Sequence, residues 1–205
     1  MDENILNRAI YKIINKKTNY LGLFTIEEFN NLNIYNIPHF CLILFINTIS
    51  SNLGHYVVCA KNENDFYFFD SYGFSPYFYS LKIPFSSKLK KYYLSFRLQS
   101  NLSSNCGVYA IFFIHLITHC NYNMICFKSI FTKLFNQKNY LENDKYIIKY
   151  LFKYFSSLSV NCKKVICNNQ FVINRKKCIK YFCVKYRKNK NRDSRARLLN
   201  NTRDA

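Results

Sequence analysis

The sequence lacks any apolar run long enough to cross a lipid bilayer. Its longest hydrophobic stretches, FCLILFI at residues 40–46 and GVYAIFFIHLI at 107–117, are shorter than the roughly 20 residues that a transmembrane helix needs. The amino-terminal residues include charged side chains where a secretory signal peptide has an apolar segment. We therefore expect a soluble, unsecreted protein that has no membrane partner.

The sequence also lacks the spacing of a disulfide framework. Its nine cysteines are odd in number and do not recur at the close intervals typical of small disulfide-stabilised domains. Reduced cysteines that are buried, metal-bound or catalytic are then expected, as in a reducing intracellular compartment. Each cysteine has to be interpreted from its local surroundings.

Acidic residues are scarce, with 11 Asp and Glu against 30 Lys and Arg, a net charge of +19. Residues 161–205 contain 14 of these basic residues and two of the acidic ones, so this segment carries +12 of the net charge. Such a segment favours contact with a polyanion such as DNA through counterion release. A solvated basic surface without a ligand explains the same composition, and both interpretations stay open.

Length and a hydrophobic content of 49% predict one folded domain with a substantial core. We place this domain at residues 1–160 and assign 161–205 to a basic, cysteine-containing extension with a flexible tail. Apolar side chains at helical spacing and buried or alternating runs predict three helices and four strands. The predicted helices lie within 2–17, 107–120 and 141–157, and the predicted strands within 39–48, 54–61, 65–73 and 88–99. This order predicts an α+β fold in which helices flank a small mixed, largely antiparallel sheet.

Cys106 stands where the long apolar helix is predicted to begin, in SSNCGVYAIFFIHL. A helix N-terminus lowers the pKa of a thiol, because unpaired N–H groups and the helix dipole favour the thiolate. Gly107 leaves room for a substrate carbonyl beside the amide of Cys106. Taken alone, the position also fits a buried core cysteine.

His55 and Asp70 provide the other two groups that a cysteine nucleophile needs. An imidazole takes the proton of the thiol, and a carboxylate fixes the tautomer of that imidazole. His55 begins one predicted strand, and Asp70 ends the next. Adjacent antiparallel strands bring the start of one beside the end of the other, so the two side chains are expected to be neighbours.

Gln99 precedes Cys106 by seven residues. Its neutral amide can donate a hydrogen bond to the oxyanion that forms when a thiolate attacks a carbonyl, without protonating the thiolate. A surface glutamine is the simpler interpretation of this residue when it is considered alone. His115 and His119 lie four residues apart on the predicted helix, but no further ligand is near in the sequence, so no metal site is predicted there.

Taken together, these segments resemble the adenovirus-type cysteine proteases (adenain), which are related to the ubiquitin-like-protein-specific proteases. The order histidine, acid, glutamine, cysteine is similar, and the resemblance extends over roughly residues 5–158. The segments that carry it are NYLGLF, CLILFINT, LGHYVVCA, FFDSYGFS, LQSNLSSNCGVYAIFFIHL and LENDKYIIKYLFKYFSS. The resemblance implies a papain-like/adenain-like fold with the nucleophile at a helix N-terminus.

The resemblance further implies a viral cysteine endopeptidase that cleaves precursor structural proteins during virion maturation, in the virion and the host cell nucleus. By analogy Cys106 is the nucleophile, His55 the general base and acid, and Asp70 the orienting carboxylate. Gln99 and the amide of Cys106 form the oxyanion hole. The chemistry requires no cofactor, and DNA or a viral peptide is the expected activator. The expected substrates are viral precursor polypeptides, and the enzyme is expected to be a monomer.

Three features differ from the adenovirus enzyme. The acid is Asp70 where adenain has glutamate, and the aromatic residue after the histidine is Tyr56 rather than tryptophan. The stretch SSKLKKYYLSFR has no cysteine to form a disulfide with an activating peptide. Covalent peptide activation is therefore not expected, whereas stimulation by DNA agrees with the basic composition.

The extension contains a C-x4-C-x10-C-x4-C pattern formed by Cys162, Cys167, Cys178 and Cys183. Four thiolates can hold zinc tetrahedrally, but a four-residue step is at the wide end of zinc spacings. A β-hairpin around NNQFVINR explains the cysteines without metal, and we prefer it.

Two other functions use the same observations. A ubiquitin-like-protein isopeptidase needs the same catalytic groups. A non-catalytic, basic structural protein that binds nucleic acid needs only the charge. The four residues of the expected site argue against a protein that has lost its activity, and of the two enzymes we prefer the endopeptidase, which the resemblance implies.

Overall fold

Five strands form one mixed sheet in the computed structural model of the protein. The structure describes residues 3–14, 17–34, 36–47, 54–63, 65–83, 89–119 and 124–154. The sheet has the order β1-β2-β3-β4-β5, with strands β1 (Asn19–Thr25), β2 (His39–Ile46), β3 (His55–Asn62), β4 (Asp65–Phe69) and β5 (Lys90–Tyr93). The hairpin predicted in the C-terminal extension, and the zinc site that is its alternative, lie outside the described residues, so the hairpin stays a prediction, as does the domain boundary.

The helices confirm the α+β fold class. They are α1 (Glu3–Ile13), α2 (Ile26–Asn31), α3 (Cys106–His119), α4 (Met124–Leu134) and α5 (Tyr140–Tyr154), with a short 3-10 helix at Pro76–Tyr79. The apolar stripe predicted for the first helix is buried at Leu6, Ala9, Ile10 and Ile13. None of the described helices is both long enough and apolar enough to cross a bilayer.

The strand directions correct one prediction. Strand β3 pairs antiparallel with both β2 and β4, but β1 pairs parallel with β2, and β4 pairs parallel with β5. The sheet therefore has as many parallel as antiparallel pairings and is not largely antiparallel. A parallel neighbour requires a crossover connection. Helix α2 supplies part of that crossover between β1 and β2, and it begins with a capping box between Thr25 and Glu28.

The core lies on both faces of the sheet. Alternate residues of β2, namely Phe40, Leu42, Leu44 and Ile46, belong to an apolar cluster on one face, where Phe29 of α2 also packs. Helix α3 packs against β3, with α1 and α5 as further neighbours of α3. Its residues 106–114 are all buried, which explains why the helix is apolar all round rather than on one stripe. Because α3 is fixed in this way, its N-terminus is held in a defined position.

Candidate active site

The ends of three elements meet at the candidate site. His55 is the first residue of β3, Asp70 directly follows the last residue of β4, and Cys106 is the first residue of α3. Since β3 and β4 are antiparallel, the start of one lies beside the end of the other. All three side chains are buried, with exposed fractions of 7% for His55, 1% for Asp70 and 7% for Cys106.

His55 connects the carboxylate to the thiol. Its Nε2 lies 2.7 Å from Oδ1 of Asp70, and its side chain also shares a hydrogen bond with the thiol of Cys106. The carboxylate thus fixes the ring so that one nitrogen faces the sulfur, as a cysteine nucleophile requires.

The electrostatics of the pair favour a thiolate and an imidazolium. Burial lowers the pKa of His55, but the hydrogen bonds and negative charges of Asp70 and Cys106 outweigh burial and raise this pKa to about 9. Burial raises the pKa of the Cys106 thiol, but His55 and the backbone N–H groups of Tyr56 and Gly107 lower it overall. Both pKa shifts favour the proton on the imidazole over the proton on the sulfur.

Cys41 and Cys59, the other two cysteines whose side chains the structure describes, have a different environment. Cys41 and Cys59 are fully buried within β2 and β3. Burial raises the pKa of Cys41 to about 12 and also raises the pKa of Cys59. Buried thiols of this kind are unreactive, so of the three cysteines whose side chains are described only Cys106 has the environment of a nucleophile.

Asp70 is held by four donors. Its Oδ1 accepts the bond from His55 and a second from the N–H of Tyr72 at 2.8 Å. Its Oδ2 accepts from the N–H of Phe74 at 3.2 Å and from the hydroxyl of Tyr79 at 2.8 Å. These bonds form because the chain turns directly after β4, where an aspartate can accept from the following backbone N–H groups. The carboxylate is therefore fixed before any substrate binds.

Gly73 makes this turn possible. Its φ is +79°, and an added Cβ would lie 2.5 Å from the carbonyl carbon of Phe96. Gly73→Ala is expected to lower the free energy of unfolding by about 3 kcal/mol or more, because it adds both backbone strain and overlap with an immovable backbone. Chemical denaturation measures this loss.

Gly22→Ala is the matched control for the Gly73 substitution. Gly22 also has positive φ, at +119°, but a Cβ there would meet only the ring of Phe24, at 3.7 Å. The alanine in this variant strains the backbone but overlaps with no neighbouring atom. The free energy of unfolding should therefore fall clearly less than in Gly73→Ala. Equal losses in the two variants would show that the close approach to Phe96 does not matter.

Gln99 is fully buried beside the same turn. Its Oε1 accepts from the hydroxyl of Ser71 at 2.6 Å, which fixes the direction of the amide. Its Nε2 donates to the carbonyl of Ser103 at 2.7 Å and lies 3.4 Å from the hydroxyl of Tyr72. The interpretation of Gln99 as a surface residue is wrong, since the amide is directed by specific contacts.

Helix α5 holds the segment between Gln99 and Cys106. The carboxylate of Asp144 accepts from the N–H of Ser100 at 3.2 Å and from the hydroxyl of Tyr109 at 3.1 Å. Side chains of Ser103 and Asn105 also donate to it. These bonds connect both ends of the segment to one buried carboxylate. The position of Gln99 relative to Cys106 thus depends on a residue about 40 positions later in the sequence.

Asp144→Asn tests this support. The variant keeps the size of the side chain but replaces one acceptor oxygen by a donor group that faces other donors. We expect it to lower the free energy of unfolding by about 1–3 kcal/mol. Glu142→Gln, on the exposed surface of the same helix, is the control and should change stability by less than about 0.5 kcal/mol. Equal effects of the two variants in thermal or chemical denaturation would contradict the role of Asp144.

Sequence reasoning did not identify several residues of the site. Tyr72 packs its ring against His55, with a centroid distance of 4.8 Å, and Tyr79 and Ser71 donate to Asp70 and Gln99. The segment DSYGFS, directly after the expected acid, contained the signal for Ser71 and Tyr72. Asp144 gave no such signal, because nothing local in the sequence connects it to the segment that it holds.

Comparisons with known proteins identify no family. No protein-family model matches the chain. No curated protein matches it in sequence. Among solved structures, the crystal structure of a de-sumoylating protease is similar, with 15% sequence identity, coverage of 80% of this chain and 77% of that chain, and a TM-score of 0.42. A TM-score this low does not establish a common fold.

Proposed function

We propose that the protein is a cysteine protease with Cys106 as its nucleophile. The observation that supports this proposal is the chain of contacts from Asp70 through His55 to Cys106. Along these contacts, Nε2 of His55 lies 2.7 Å from Asp70, and the side chain of His55 shares a hydrogen bond with the thiol of Cys106. A core cysteine at a helix start would need neither the imidazole nor the carboxylate. Two buried ionisable groups at one thiol are explained by catalysis.

The proposed reaction begins with the thiolate of Cys106. Its sulfur attacks the substrate carbonyl carbon, and the carbonyl oxygen becomes an oxyanion. When this intermediate collapses, the C–N bond breaks, and the imidazolium of His55 gives its proton to the leaving amine. A water molecule then attacks the thioester, with His55 accepting its proton, and the C–S bond breaks so that the acid product leaves and the thiolate of Cys106 and the imidazolium of His55 are restored. Asp70 keeps the ring oriented through both steps.

Two donors for the oxyanion fit this scheme. The N–H of Cys106 lies at the first position of α3, where a helix leaves its N–H groups without intrahelical partners. The amide of Gln99 donates one N–H to the carbonyl of Ser103, and its second N–H makes only a long contact of 3.4 Å with the hydroxyl of Tyr72. Donors that are fixed in advance stabilise developing charge without reorganisation.

The proposed substrates are viral precursor polypeptides, because the sequence segments around all four residues resemble the adenovirus-type proteases. An isopeptide bond presents the same carbonyl to the nucleophile, so an isopeptidase for ubiquitin-like proteins is the alternative. Parallel assays with precursor polypeptides and with isopeptide-linked ubiquitin-like conjugates separate the two. Cleavage of the conjugates alone would reject the endopeptidase.

A peptide vinyl sulfone tests the proposed nucleophile. This electrophile reacts with activated thiols, and mass spectrometry identifies the modified residue among the nine cysteines. We expect modification at Cys106, its loss in His55→Ala, and no modification of Cys41 or Cys59, which serve as internal controls. Preferential modification of a cysteine in the extension would reject the proposal.

We also propose that DNA stimulates the enzyme. The net charge of +19 supports this proposal, because a basic protein binds a polyanion with release of counterions. Peptide hydrolysis at low salt should increase when DNA is added, and the increase should disappear as the salt concentration rises. A rate that DNA does not change at low salt would contradict the proposal.

A further inference from the structure

We propose that the hydroxyl of Tyr72 is a further hydrogen-bond donor to the oxyanion, and therefore a catalytic residue. The inference rests on the proposed protease function and adds a group that the sequence did not assign. It concerns a tyrosine that lies between the two halves of the candidate site, the acid–base pair and the amide of Gln99.

Three contacts fix the position of Tyr72. Its backbone N–H donates to Oδ1 of Asp70 at 2.8 Å, the same oxygen that His55 contacts. Its ring lies 4.8 Å from the ring of His55, with a tilt of 35°. The guanidinium of Arg97 lies 5.3 Å from its ring centroid, a distance at which a cation and an aromatic ring attract each other. The hydroxyl is therefore held in place, as electrostatic preorganisation requires.

The hydroxyl is close to the amide that is proposed to stabilise the oxyanion. Its oxygen lies 3.4 Å from Nε2 of Gln99, longer than the usual N–H···O distance of about 2.9–3.0 Å. Two donors at this separation can both lie about 2.8 Å from one substrate oxygen. The weak contact between them is then replaced by two stronger bonds to that oxygen.

The hydroxyl is also available as a donor. The hydroxyl accepts a hydrogen bond from Gln99. Within the part of the chain that the structure describes, it donates a hydrogen bond to no other side chain. Burial raises the pKa of Tyr72, and the negative charge on Cys106 raises it further. The phenol thus keeps its proton across the neutral range, where the thiolate is present. The influence of Cys106 on Tyr72 agrees with a hydroxyl close to the reacting sulfur.

The alternative role for Tyr72 is to position another residue. It could act only by holding the amide of Gln99 or by packing against His55. These roles differ from donation to the oxyanion in a measurable way. If the hydroxyl only positions Gln99, its removal has no effect on kcat once Gln99 is absent. If Tyr72 only supports His55, removal of the hydroxyl changes the reactivity of the Cys106 thiol itself.

Tyr72→Phe separates these roles, because it keeps the ring and removes only the hydroxyl. We expect kcat for a peptide substrate to fall by about 10–100-fold with little change in KM, since loss of one oxyanion donor has effects of about 100-fold or more in known proteases. The rate at which iodoacetamide alkylates Cys106 should stay within about twofold of the wild type, because alkylation forms no oxyanion. Tyr77→Phe, at an exposed tyrosine of the same segment, should change neither quantity.

The same substitution in a Gln99→Ala background completes the test. A hydroxyl that contacts the oxyanion directly still lowers kcat when it is removed from this variant. The inference is overturned if Tyr72→Phe has wild-type kcat, if its effect disappears in Gln99→Ala, or if alkylation of Cys106 slows in parallel with hydrolysis. A wild-type protein that neither hydrolyses peptides nor alkylates readily at Cys106 would instead reject the protease function, and the inference with it.

Discussion

Replacing Cys106 by alanine is expected to abolish hydrolysis of peptide bonds. The sulfur forms the covalent bond to the substrate, and burial raises the pKa of both other cysteines whose side chains the structure describes, Cys41 and Cys59. We expect kcat/KM to fall by about 10⁴-fold or more, as when the nucleophile of a catalytic triad is removed. Assays with a precursor polypeptide or a fluorogenic peptide measure this loss, and circular dichroism establishes that the variant is folded.

Cys59→Ala is the matched control for Cys106→Ala. Cys59 is buried in the apolar cluster of the sheet and makes no contact with the acid–base pair among the contacts that the structure describes. Its replacement should lower the free energy of unfolding by about 1 kcal/mol and leave kcat/KM near that of the wild type. Cleavage of the precursor that survives in Cys106→Ala would contradict the protease account. Binding of DNA by that variant would be compatible with either account.

The pH dependence of kcat/KM is expected to be bell-shaped with a descending limb near pH 9. Burial raises the pKa of the Cys106 thiol, but His55 outweighs burial and lowers this pKa. The ascending limb therefore lies below the ordinary thiol pKa of about 8.5. Burial lowers the pKa of His55, but Asp70 and Cys106 outweigh burial and raise this pKa to about 9. Above this pH the imidazolium loses its proton, and with it the acid for the leaving amine. Activity is therefore greatest between the two pKa values.

Two variants test the assignment of these limbs. His55→Ala should lower kcat/KM by about 10⁴-fold and shift the formation of the thiolate towards higher pH, because the positive charge beside the sulfur is lost. His39→Gln is the control, since His39 lies at the start of β2 and 3.8 Å from Glu63, and it should leave both limbs unchanged. A descending limb that persists in His55→Ala would show that another group is responsible for it.

The part of the fold that positions the acid–base pair followed from local patterns. The predicted strands within 54–61 and 65–73, which only a few residues separate, predicted an antiparallel β3–β4 pair, and the structure confirms this pair. The apolar run after Cys106 predicted α3, which begins at Cys106 itself. Both features depend on residues that are close in the sequence. The sequence was therefore sufficient to predict that His55 and Asp70 are neighbours.

The parallel edges of the sheet could not be predicted in the same way. Strand β1 has partly exposed residues over most of its length, a glycine with positive φ at Gly22 and a shift in register, so it shows no clear alternation. Strand β5 has only four residues, three of them exposed. Their pairing depends on crossovers and on contacts with distant strands. Such contacts leave no local pattern of hydrophobicity.

Around the candidate site, too, some features follow from the local sequence and others depend on distant contacts. Gln99 was identified from its distance in sequence to Cys106, but the bonds that direct its amide come from Ser71 and Ser103. Asp144 holds the intervening segment from helix α5. These partners are determined by packing of elements that are far apart in the chain. The catalytic roles themselves stay predictions until activity is measured.

The rate of alkylation of Cys106 as a function of pH tests the central claim most directly. Iodoacetamide reacts with the thiolate, and mass spectrometry can follow each cysteine of the wild-type chain separately. The account predicts that Cys106 reacts rapidly well below pH 8 and that His55→Ala moves this dependence to that of an ordinary thiol. A Cys106 that titrates like a free thiol in the wild type and is unaffected by His55→Ala would contradict it.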